Sequence, residues 1–80
     1  MPRYYLHLVD SADITLDPDG MIMAAEAVER VALYQARDCM AGDVRHGKLD
    51  LHHRIEVRDE SDGLVHSLPF SDAVEIVGAG

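Results

Sequence analysis

The sequence predicts a small α+β domain: an antiparallel sheet of four or five strands in the order ββαββ, with one long helix packed on one face. Three observations carry this. Residues 3–9 and 51–58 alternate apolar and polar side chains with a period of two, as half-buried strands do. Residues 21–41 contain no Pro or Gly and repeat their apolar positions every three or four residues, as an amphipathic helix does. Clusters of Asp, Gly, Ser and Pro separate these segments. At 80 residues the chain forms one domain, 1–80, without linker or internal repeat.

The first strand covers residues 3–9. Tyr4, Leu6 and Leu8 fall on one face, and Arg3, Tyr5, His7 and Val9 on the other. Asp10-Ser11-Ala12-Asp13 is a turn, after which Ile14-Thr15-Leu16 pairs back as a short second strand. Asp17-Pro18-Asp19-Gly20 stops it, because Pro suits the second turn position and Gly tolerates positive φ. The helix is expected from about residue 22, and throughout 24–44, with Val28, Val31, Ala32, Gln35, Ala36, Cys39, Met40 and Val44 recurring along one stripe. Arg45 and His46 complement its dipole, and Gly47 suits the residue after its end.

Residues 51–58 form the next strand. Leu51, His53, Ile55 and Val57 share one face; His52, Arg54, Glu56 and Arg58 share the other. Residues 59–63 make a hairpin loop and 64–68 return antiparallel, with Pro69 ending regular pairing. Ser71 caps a helical turn, or residues 74–77 add a fifth strand; the pattern allows both. Val31, Ile55 and Val57 are expected in the core. If the strand at residues 3–9 lies at a sheet edge, it lacks the Lys or Pro that guards edges and invites strand addition or a symmetric dimer.

Composition excludes several classes. Leu, Ile, Val and Phe make up 21 of 80 residues, too many for a disordered tail. No apolar run approaches the ~18 residues of a membrane span. The net charge of −8 repels phosphate backbones and anionic headgroups, so neither nucleic acid nor membrane is an expected partner. The amino terminus has no signal-peptide core, and the single Cys39 forms no internal disulfide, which suggests a reducing cytoplasm.

Chemical motifs are sparse, and no cofactor is expected. His52 and His53 are strand neighbours on opposite faces, and Cys39 and His46 stand two helical turns apart, so neither pair shares a metal. Asp17, Asp19, Gly20 and Glu26 match four positions of a calcium loop. Thr15 at the first position and Pro18 inside the loop do not fit. Cys39 sits among apolar helix residues, where a thiol is inert, and no serine lies in a glycine elbow, so no catalytic residue is named.

What remains is the sheet face turned away from the helix. It gathers Arg3, Tyr5, His7, Arg54 and Arg58, with His52, on an otherwise acidic chain. These five are the candidate interaction residues of a small protein-contact module, with another protein or a second copy as partner. The alternative is a metal-binding protein or small enzyme using His7, His52 and His66.

Several segments together resemble a known family: the opening Met1-Pro2-Arg3-Tyr4-Tyr5-Leu6-His7-Leu8, the Asp17-Pro18-Asp19-Gly20 turn, Gly47-Lys48-Leu49-Asp50-Leu51, Ile55-Glu56-Val57-Arg58-Asp59-Glu60 and Leu68-Pro69-Phe70. The family consists of short uncharacterised proteins with a domain of unknown function, common in alphaproteobacteria. The resemblance spans nearly the whole chain and implies a bacterial source and a stand-alone domain, with no activity and no functional residues to transfer. His66 departs from it, standing where the pattern has an aliphatic residue.

Overall fold

The computed structural model describes residues 1–78. Strand β1 (Arg3–Val9) is followed by two short strands, β2 (Ile14–Thr15) and β3 (Met21–Ile22). A 3-10 turn (Ala25–Ala27) leads into helix α1 (Val28–Arg45). Strands β4 (Arg54–Arg58) and β5 (Leu64–Pro69) form a hairpin, and a single turn, α2 (Phe70–Ala73), follows. The sheet runs β2-β1-β4-β5 with β3 also on β1, and every pairing is antiparallel. The expected ββαββ fold is present, with β3 as an extra short strand before the helix.

Helix α1 buries Val28, Ala32, Ala36 and Met40, a strict spacing of four. The two alanines are fully buried, which lets the helix backbone approach Ile55 and Val57 of β4 closely. Tyr4, Met23, Phe70 and Ala73 complete this core. Ile55 and Val57 are core, as expected; Val31 is only half-buried and packs against the core's margin.

Three boundaries differ from expectation. Residues 22 and 24 are not helical. Ile22 pairs with Arg3, Met23 donates its N–H to the Pro2 carbonyl, and Ala24 is extended, so strand pairing outcompetes the first helical turn. No side chain caps the N-terminus of α1, which starts from the 3-10 turn. The strand expected from residue 51 begins only at Arg54, because Asp50 accepts the His52 N–H and bends residues 50–52 into a turn. Residues 70–73 take the helical alternative and no strand follows through residue 77, but Ser71 lies within that turn and Pro69 occupies the cap position.

The edge position considered for β1 is also corrected. β1 is interior, with β4 on one side and β2 and β3 on the other. At the far end of α1, Gly47 has φ 80° and donates its N–H to the Val44 carbonyl, ending the helix as expected. Among the described residues, no helix is long and apolar enough to cross a membrane.

Candidate functional site

Period-two alternation places Ile55 and Val57 under the helix, so Arg54, Glu56 and Arg58 stand on the opposite, outward face of β4. Register completes that face. Tyr5 lies opposite Arg58, His7 opposite Glu56 and Val9 opposite Arg54, while Arg3 begins the same row of β1. Arg3, Tyr5, His7, Arg54 and Arg58 therefore share one surface. His52 does not join them; it sits in the turn before β4 with its Nδ1 3.0 Å from Asp50 Oδ1.

Glu56 organises the β4 row. Arg54 Nη2 donates to Glu56 Oε2 at 2.9 Å, and Arg58 Nη2 and Nε donate to Oε1 at 2.9 and 3.3 Å. The two guanidinium hydrogen bonds, that of Arg54 first, hold the Glu56 carboxyl below its ordinary range. Surface ion pairs contribute only ~0–1 kcal/mol to stability. The consequence of this triad is therefore geometric: two long cations are laid along the sheet in fixed poses. Three arginines stand on this face with Glu56 between two of them, and Glu60 Oε1 accepts the Arg3 N–H at 3.2 Å, on a chain of −8. Glu56 is absent from the sequence-based set of candidates, although the Arg-x-Glu-x-Arg spacing already places all three side chains on one face.

The Asp17–Gly20 turn holds the other half of the face. Asp17 Oδ2 accepts the Leu6 N–H, and its Oδ1 accepts the N–H groups of Asp19 and Gly20. The Asp17 N–H donates in turn to His7 Nδ1 at 3.0 Å, and Arg3 Nη1 donates to the Asp19 carbonyl at 2.7 Å. Gly20 has φ 70° and lies so close to the sheet that an added Cβ would stand 2.8 Å from the Tyr4 carbonyl oxygen and 2.9 Å from the Tyr5 ring. Arg3, Tyr5 and His7 are thus all braced by one turn, and the Tyr5 and His7 rings run nearly parallel with centroids 6.4 Å apart. The Asp17 carboxylate serves backbone N–H groups, so the calcium-loop match is a turn motif.

The remaining histidines scatter. His7 is on the outward face, while His66 pairs with Val57 and so lies on the helix side. His53 packs edge-on against Phe70 at 5.5 Å, and His46 Nδ1 lies 2.8 Å from the Gly42 carbonyl oxygen. The three histidines of the metal alternative thus occupy two faces and a turn. Among the described residues no three His, Cys, Asp or Glu side chains converge as metal ligands.

An open cleft of about 500 Å³ lies between α1 and the β1–β3 side of the sheet, lined by Leu6, Leu8, Leu16, Met21 and Cys39 among others. Burial, and secondarily Asp38 and Asp43, push the Cys39 thiol up, so it is a poor nucleophile at neutral pH.

No curated protein and no solved structure matches the sequence. A family described as Domain of unknown function (DUF6894) matches residues 3–71, which include every strand, helix α1 and all five outward-face residues. That match covers the sheet, its helix and the turn that braces the outward face, and on it the chain belongs to the DUF6894 family.

Proposed function

We propose that this domain is a protein-interaction module whose outward sheet face, formed by Arg3, Tyr5, His7, Arg54 and Arg58, receives a carboxylate-bearing surface of another protein. The observation that carries the reading is the ordering of Arg54 and Arg58 by Glu56. A cation already held in place loses less side-chain entropy on binding than a free one. The three arginines gathered on one face of an otherwise acidic chain also orient an incoming acidic partner towards it. We place the protein in a reducing bacterial cytoplasm, where a lone Cys39 stays a thiol. The metal or enzyme reading has no comparable support, since His7, His52 and His66 do not converge.

The test compares two proteins in cross-linking from native cell extract. One is wild type. The other is the triple variant Arg54→Gln, Glu56→Gln, Arg58→Gln, which neutralises the row without stranding a charge. A partner captured by wild type, bound at least tenfold more weakly by the variant (~1.4 kcal/mol) and released by salt supports the reading. Equal capture of every partner by both proteins overturns it.

A further inference from the structure

Helix α1 covers only half of its side of the sheet. It packs on β4 and β5, with its buried stripe against Ile55 and Val57. Neighbouring strands stand ~4.8 Å apart, so the other half, β1 with β2 and β3 beside it, spans ~10 Å, about the diameter of one helix. The open cleft of about 500 Å³ lies over that half. Leu6 and Leu8, which share the helix side of the sheet with Val57 and Ile55, form its floor. Gln35 and Cys39 of α1 form one wall, and Leu16 and Met21, with the Asp17 turn between them, form the other. Leu6 and Leu8 are only half-buried, and Leu16 and Met21 are 67% and 46% exposed. The cleft therefore shows solvent an apolar surface assembled from both layers of the fold.

We propose that this cleft is the docking groove for an amphipathic helix of another protein, one with an aliphatic stripe flanked by basic residues. Backbone chemistry selects a helix. The floor is the face of β1, whose main-chain groups are taken by β4 on one side and by β2, β3 and Asp17 on the other. An extended segment finds no ladder to join there. A helix satisfies its own backbone and offers side chains at i, i+3, i+4 and i+7 to the groove.

A second copy of this chain does not supply that helix. Among the described residues α1 is the one long helix, and its apolar stripe is already spent on its own sheet. Two chains of −8 also repel each other.

Charge selects the flanks. The charged residues lining the cleft are Asp17 and Asp19, with no Lys or Arg among them. The Asp17 carboxylate is held by backbone N–H groups, and Asp19 makes no side-chain ion pair among the described residues. Arg3 reaches this turn from the outward face, at the Asp19 carbonyl. On an acidic chain such a rim attracts a basic helix and repels an acidic one. The groove and the arginine face lie on opposite sides of the sheet and take partners of opposite charge, so each stands or falls alone.

The probe is an 18-residue peptide of Leu and Lys, as long as α1, with leucines at i, i+3, i+4 and i+7. One control has the same composition in an order that breaks the stripe; the other keeps the stripe and replaces Lys with Glu. By fluorescence anisotropy against the full chain, the striped Leu/Lys peptide should bind about tenfold or more tightly than either control. Cys39, the single thiol of the chain, gives a readout that needs no variant: saturating peptide should slow its alkylation about fivefold or more. Leu16→Gln with Met21→Gln changes two exposed side chains, so circular dichroism should be unchanged while affinity falls about tenfold. The triple variant Arg54→Gln, Glu56→Gln, Arg58→Gln should bind the peptide as wild type does. Equal binding of all three peptides, unprotected Cys39 at saturation, or undiminished binding by the folded Leu16→Gln, Met21→Gln variant each overturns the inference. So does self-association that protects Cys39 without peptide, because a second copy would then be the occupant.

Discussion

The two sides of the sheet leave backbone groups unpaired in the same way but treat them differently. Between β2 and β3 the outer side of β1 has no strand partner, and a side chain substitutes for one: Asp17 accepts the Leu6 N–H and the N–H groups of its own turn at once. Along β5 nothing among the described residues substitutes, and the strand is simply bounded by a bulge and a proline. The sealed side is also the side that braces Arg3, Tyr5 and His7, so the seal and the outward face are one construction. The open side bears no part of it. An interior strand that lacks a full-length neighbour needs a specific turn, whereas an edge strand needs only limits.

The sharpest way to break this comparison uses two glycines with the same left-handed backbone. Gly20 has φ 70° and presses on the Tyr4 carbonyl; Gly47 has φ 80° and nothing within 4 Å of its would-be Cβ. Gly47→Ala should cost only the ~1–2 kcal/mol of a left-handed residue. Gly20→Ala adds an overpacking cost and should reach ~2–5 kcal/mol. At ~4–8 °C per kcal/mol for a domain of this size, melting curves separate the two. Equal losses would mean that the turn does not clamp β1.

A smaller effect follows from the carboxylate itself. Asp17→Ala leaves the Leu6, Asp19 and Gly20 N–H groups without their acceptor and should cost ~1–3 kcal/mol in denaturant titration. Asp17→Asn keeps one acceptor oxygen and should lose less. If both variants melt like wild type, the seal is not structural.

The smallest effect contrasts Asp17 with Glu56, which accepts from arginines rather than backbone. The Glu56 carboxyl titrates below its ordinary 4.5 in the fold. Its contribution is therefore present above about that pH and is lost as pH falls through the lowered value. Because the pairs are partly exposed, the contribution stays under about 1 kcal/mol. Glu56→Gln should narrow the stability difference between pH 7 and pH 3 by that amount. An unchanged difference would show that the arginines do not hold the carboxylate.

Much of the outward face is legible in the sequence because strand alternation is a local property. Once residues 3–9 and 54–58 are strands, Tyr5, His7, Arg54, Glu56 and Arg58 can point only one way relative to Leu6, Ile55 and Val57. Alternation alone puts His52 on the face as well, but a single Asp50 hydrogen bond ends the strand before it. The apolar spacing of α1 was equally local, but its start was not. Met21 to Ala24 are compatible with helix, and only pairing with Pro2–Tyr4, some twenty residues earlier, draws them into the sheet.

The sequence by itself thus determined the number of long elements, their faces and the turn chemistry between them, since periodicity and the preferences of Asp, Gly and Pro act over a few residues. Tertiary structure alone decided three things. It set β1 inside the sheet and β5 at its edge, placed Asp17 under Leu6, and left the β1–β3 side of the sheet uncovered beside α1. Each depends on contacts between residues far apart in the chain, where the closure entropy of the intervening loop is offset only by the whole set of contacts formed together. No local pattern encodes which of several possible sheet orders makes that sum most favourable.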